Sequence, residues 1–239
     1  MNNGENNIFK IDKYGFRARI IPAIVAIVFP IFVFSHFYIN PELSAFFEGF
    51  RKFSLVGDVA ISTVVMFYLS QYGRIIGKNV FEKKYFKGEL QMPTTQFLLY
   101  KNPVYSSEYK KKIGTKIFDD FGIKLASSQQ EQKDELTSRT KIVEAMSHIR
   151  KRLFANKFLL QHNIEYGAMR NTIGCGVIGF LISLINILFF QFVYHNNIAV
   201  VISLVTIIIY SFLILVSKWI INAYGEAYAK ILLREYMSS

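Results

Sequence analysis

The chain has 239 residues, of which 52% are hydrophobic, 16% aromatic and only 19% charged, and its formal net charge is +11. A soluble domain carries nearer a quarter charged residues, and here the apolar excess is gathered into four stretches, which excludes an ordinary soluble globular protein. One cysteine, Cys175, and four histidines exclude an internal disulfide framework and a multi-cysteine zinc site.

Residues 1–19 form a polar, basic lead with Lys10, Lys13, Arg17 and Arg19. A helix that crosses a bilayer needs about 20 mostly apolar residues. Residues 20–39 supply them with no Asp, Glu, Lys or Arg, although Pro22 and Pro30 lie inside. The run is too long for a signal-peptide core and no small-x-small cleavage site follows, so it reads as a retained helix kinked at Pro30. Residues 53–72 are a second span with one charge, Asp58. Together residues 20–72 make a first transmembrane hairpin.

Asp58 is the sharpest single position. A carboxylate within a span costs about 3 kcal/mol or more and faces a bundle interior or water. It reads either as an interface carboxylate paired with Arg51, Lys52 or His195, or as a ring lining a cation-favouring pore in an oligomer. Asn186, mid-way along the third span, is a further pore-lining candidate, with interhelical hydrogen bonding as its other role.

Residues 73–172 hold nineteen Lys and Arg against ten Asp and Glu. Lys83-Lys84, Lys110-Lys111-Lys112 and Arg150-Lys151-Arg152 carry this charge deep into the insert. Such clusters suit a polyanion, because phosphate binding releases counterions, and they equally suit solvated faces and anionic lipid. The insert reads as helical. The second span continues to Phe86, Pro93 breaks the run, and Thr94 or Thr95 can cap a short helix through Leu99. Ser106 or Ser107 can cap another, with Tyr109, Ile113, Ile117 and Phe121 on its apolar face and Gly122 at its end. Residues 126–135 have almost nothing to bury and read as a mobile loop. Ile142, Met146, Ile149 and Leu153 then recur at heptad-like spacing, a stripe for helix packing that a symmetric oligomer could also use.

Residues 173–194 and 198–217 are two further uncharged spans, joined by a turn at 195–197 into a second hairpin covering 173–217. The tail 218–239 keeps an apolar face through Trp219, Tyr224, Tyr228, Ile231 and Leu232, and reads as an amphipathic cytoplasmic helix. Of the 28 Lys and Arg, 26 fall on one side of the four spans, which puts both termini and the insert in the cytoplasm. The expected fold is thus an all-α integral membrane protein, with four transmembrane helices in two hairpins and a helical cytoplasmic stalk and insert.

Several motif matches fail on context. Gly174-x-Gly176-x-x-Gly179 spells a dinucleotide fingerprint but opens a membrane span with no strand before it, so close helix packing explains it better. Gly73-x-x-x-Gly77-Lys78 is one residue short of a phosphate loop, and Asn79 replaces the Ser or Thr. Glu144 and His148 share a helix face, with His162 farther on, but no third ligand converges. No catalytic constellation is evident, and no enzyme activity, cofactor or metal is expected.

Three segments, GRIIGK (73–78), MPTTQFLL (92–99) and NIEYGAMRN (163–171), read in this order between the second and third spans, resemble small bacterial membrane proteins of anti-phage defence loci. Those loci pair the membrane protein with a nucleotidyltransferase-like enzyme, as in Hailong-type and related oligonucleotide-signalling systems. The resemblance implies a multi-pass effector of the bacterial inner membrane. It also implies a homo-oligomeric channel controlled by a nucleotide or single-stranded DNA oligomer, whose activation depolarises the cell. The expected function is such a signal-gated pore, with a tetramer favoured. A membrane-anchored adaptor docking a cytoplasmic protein is the alternative.

Overall fold

A computed structural model describes the backbone of residues 13–39 and 51–239, with side chains over 14–38 and 64–239. Every regular element among the described residues is helical. Three helices are long and apolar enough to cross a membrane: Phe16–Tyr38, Lys157–Phe192 and Asn197–Leu215. Phe16–Tyr38 is called α1 below. The second expected span lies in Arg51–Ile76, helix α2, which a wide π-helical stretch, Gly77–Glu82, and one more turn, Lys83–Phe86, prolong. The side chain of Asp58 lies outside the described residues.

Short helices follow. They are Pro93–Gln96 (α3), Ser107–Phe121 (α4), Ser128–Lys133 (α5) and Glu135–Arg152 (α6). Lys157–Phe192 (α7), Asn197–Leu215 (α8) and Ser217–Ser238 (α9) complete the chain. Two compact units result. One gathers residues up to Arg74 with Asn171–Ile214, and the other gathers Ile75–Arg170 with Leu215–Ser239.

In the first unit, small residues let the helices approach closely. Ala23, Ala26 and Ile27 of α1 pack with Cys175 of α7 and Tyr210 of α8 in a buried cluster. A Cβ on Gly73 would collide with the Cys175 sulfur, and one on Gly179 with the Ala26 carbonyl and the Tyr210 ring. These contacts leave no room for larger side chains, as close helix packing in membranes requires. Val25, Phe32, Ile185, Ile208 and Phe212 face outward and are exposed, an apolar surface of the kind that lipid covers.

The two prolines of α1 organise its polar contacts. Proline has no N–H, so Pro22 cannot donate to the Ala18 carbonyl, nor Pro30 to the Ala26 carbonyl. Each stranded acceptor is met from another helix. Asn171 Nδ2 donates to Ala18 at 2.6 Å, and the Tyr210 hydroxyl donates to Ala26. Asn186 Nδ2 donates to the carbonyl of Pro30 itself at 2.8 Å. Asn186 is buried, and this bond is the interhelical contact that was the other role expected of it.

In the second unit, the heptad-like stripe is core: Ile142, Met146, Ile149 and Leu153 are all buried. They share the interior with Ile113 and Ile117 of α4 and with Leu232, Leu233 and Tyr236 of α9. Ser106 caps α4 by accepting from the Tyr109 N–H at 3.2 Å. Gly122 ends the helix at φ 70°, a left-handed conformation that glycine adopts without strain. Two expectations fail here. Thr94 and Thr95 do not cap α3, which starts at Pro93, and the Thr95 hydroxyl instead donates to the Glu89 carbonyl at 2.8 Å. The segment expected to be a mobile loop folds as α5, because Ser127 and Gln130 form a reciprocal capping box and the Glu131 carboxylate is drawn inside.

Candidate functional site

Charge is where sequence reading placed the chemistry, and the second unit divides its cations into two groups. The first group is structural. The Lys110 ammonium is buried, 4% exposed, and donates to the Leu99 carbonyl at 2.7 Å and to that of Asn102. The opposite side of the same loop is held by Glu131, whose two oxygens accept from the N–H groups of Tyr100 at 2.8 Å and Lys101 at 3.2 Å. An ammonium binding carbonyls and a carboxylate binding amides thus grip residues 99–102 from both polarities. Burial pushes the Lys110 pKa down, and the nearby Glu131 charge opposes that shift. Lys110 therefore leaves the exposed cluster to which its sequence neighbours assign it.

Arg150 and Arg152 are likewise engaged. Arg150 pairs with Glu89 at 2.6 Å, steadying a reverse turn in which Lys87 and Glu89 both take positive φ. Arg139, which sequence reading overlooked, braces the same turn by donating to the Leu90 carbonyl and pairs with Glu135 at 2.7 Å. Arg152 pairs with Asp120 Oδ1 at 2.7 Å, while the Tyr236 hydroxyl donates to Oδ2 at 2.8 Å. Those donors hold the Asp120 carboxyl below the usual range. Removing Arg150 or Arg152 would therefore disturb the fold as well as any bound anion.

The second group lies on the surface. Lys83, Lys84, Lys111, Lys112 and Lys151 are exposed and have no ion-pair partner among the described residues. Of these, Lys111 stands on the wall of a cleft of about 470 Å³. Lys124, Tyr100, Phe118 and Leu125 line the same cleft, with Leu98 and Ile142 deeper in. Sequence reading overlooked this cleft because it needs α5 to be folded. The spacing of Ser127 and Gln130 is the signal that could have shown it.

Glu144 and His148 are both exposed, and the His148 ring lies 5.4 Å from that of Phe121. No group of metal-ligating side chains occurs among the described residues. No known protein family, no curated protein and no solved structure matches the chain.

Proposed function

We propose that this chain is a four-span membrane effector whose cationic helical part, residues 73–172 with the tail 218–239, binds a phosphate-rich ligand in the cytoplasm. Binding gates an ion pore formed by a homo-oligomer, with a tetramer as the expected assembly. The observation that carries this reading is the coexistence, in one chain, of membrane-length apolar helices with exposed, unpaired lysines such as Lys111, Lys112 and Lys151. Phosphate contacts of this kind supply affinity without reading a base sequence.

In this reading the chain sits in the bacterial inner membrane with both termini inside. It acts as the executing arm of an anti-phage locus whose nucleotidyltransferase-like enzyme makes the signal, and Asp58 is its candidate pore residue. The test is ion flux through liposomes containing the purified chain, with and without a short single-stranded DNA oligomer. Ligand-dependent flux whose apparent affinity falls steeply with added salt supports the reading. Flux that no ligand or salt condition alters, or no flux at all, overturns it. Asp58→Asn is expected to change conductance or cation preference, and charge reversal at Lys111 and Lys112 to change gating while leaving assembly intact.

One observation favours an adaptor instead. Phe154 and Phe158 are 87% and 71% exposed in the second unit, and exposed aromatic pairs suit a protein partner. Stoichiometric capture of one soluble protein, with no conductance in liposomes, would favour that reading.

A further inference from the structure

The cleft in the second unit is built unlike the rest of the helical core. Gly114 stands mid-way along α4, where glycine weakens a helix relative to alanine. Gly73 and Gly179 are needed because a neighbouring atom occupies the Cβ position. At Gly114 the nearest atom to an added methyl group is Leu125 Cδ1 at 3.9 Å, an ordinary contact. Packing does not demand glycine there. What a larger residue would take away is space in the cleft, whose wall Gly114 forms.

The lining is chemically divided. Leu98, Phe118, Leu125 and Ile142 present apolar and aromatic surface, while the ammonium groups of Lys111 and Lys124 stand without an ion-pair partner among the described residues. The other two charges present, Lys110 and Glu131, are already engaged with backbone groups. Two uncommitted positive charges beside an apolar wall match a dianion carried on a flat apolar body. The cleft, at about 470 Å³, falls within the size range of small-molecule sites.

We infer that this cleft is a binding site for a phosphate monoester on a flat ring system, the chemistry of a nucleotide, with the ring against Phe118 and Leu125 and the phosphate between Lys111 and Lys124. This deepens the reading given under Proposed function and rests on it for any coupling to the membrane helices, but not for binding itself.

Calorimetric titration of the full chain in uncharged detergent tests it, with adenosine 5′-monophosphate as the probe and adenosine and ribose 5-phosphate as its two halves. The monophosphate is expected to bind, and each half to bind at least tenfold more weakly. Gly114→Leu, which fills the cleft, and the pair Lys111→Glu with Lys124→Glu should each weaken binding at least tenfold, while the exposed Lys157→Glu leaves it unchanged. If Gly114→Leu does not fold by circular dichroism, the paired surface substitutions decide the matter. No binding of the monophosphate, or equal binding to parent and to the paired variant, overturns the assignment whatever the liposomes show. Silent liposomes with intact calorimetric binding overturn the channel and not the cleft.

Discussion

The Tyr210 hydroxyl of α8 donates to the Ala26 carbonyl of α1, the acceptor that Pro30 leaves without its helical donor. A proline in the interior of a helix is thereby made compatible with a buried setting. Tyr210→Phe is expected to cost about 1 kcal/mol of stability, the usual scale for an interhelical hydrogen bond in a membrane protein. The informative experiment adds Pro30→Ala, which restores an N–H to the same carbonyl. In that background most of the cost of Tyr210→Phe should vanish. Strictly additive losses in a denaturation cycle would show that the hydroxyl and the proline are not linked.

The same logic applies one helical stretch earlier. Asn171→Leu strands the Ala18 carbonyl that Pro22 cannot serve, and its penalty of about 1 kcal/mol should shrink when Pro22 is replaced by alanine. Gly179→Ala should be worse than either, because the Ala26 backbone carbonyl, which cannot swing aside as a side chain can, blocks the new methyl together with the Tyr210 ring. Failure to recover a folded Gly179→Ala chain alongside a folded Tyr210→Phe chain is the expected pattern on size-exclusion chromatography.

Adjacent lysines should behave oppositely. Lys110→Met removes the donor to the Leu99 and Asn102 carbonyls and is expected to cost about 2 kcal/mol, since the Asn102 carbonyl loses its side-chain partner and the Leu99 carbonyl keeps only the Asn102 N–H. Lys111→Met touches an exposed side chain and should change stability by no more than about 0.5 kcal/mol. Thermal midpoints of the two variants, with hydrogen exchange across residues 99–104, check this directly. Equal effects would mean that the grip on the loop contributes nothing.

Acid should loosen the second unit through Asp120. The Arg152 and Tyr236 donors depress its pKa, so the folded state binds its proton less readily than the unfolded chain does. Its contribution is complete above the ordinary carboxylate pKa of about 4 and is lost as pH falls through the depressed value. Asp120→Asn is expected to lower stability at neutral pH and to flatten the decline below about pH 4. An unchanged acid limb would exclude Asp120 as its source.

Much of the architecture was legible in the residues alone, for identifiable reasons. Apolar runs of sufficient length mark α1, α7 and α8, since hydropathy is a local property that no tertiary contact can reverse. Ser106 and Gly122 marked the ends of α4 because caps act within one turn. What escaped was non-local. Lys110 and Lys111 look alike in sequence, and only the position of the 99–102 loop makes one a buried strut and the other a surface charge. The partners of the α1 prolines lie about 150 residues or more away along the chain. Residues 126–135 were misread by composition, which ignores that Ser127 and Gln130 stand at capping-box spacing and that Glu131 can satisfy two amides at once.

The close contact of Gly73 with Cys175 also has a practical side. The lone thiol is fully covered, with 0% exposure, and sits beneath a glycine that admits no other side chain. Maleimides added to the folded chain should therefore leave it unreacted, so the natural protein already serves as a silent background. Single cysteines introduced at Asn196 or Lys133 can then report, one reagent at a time in intact cells, which side of the bilayer each position occupies.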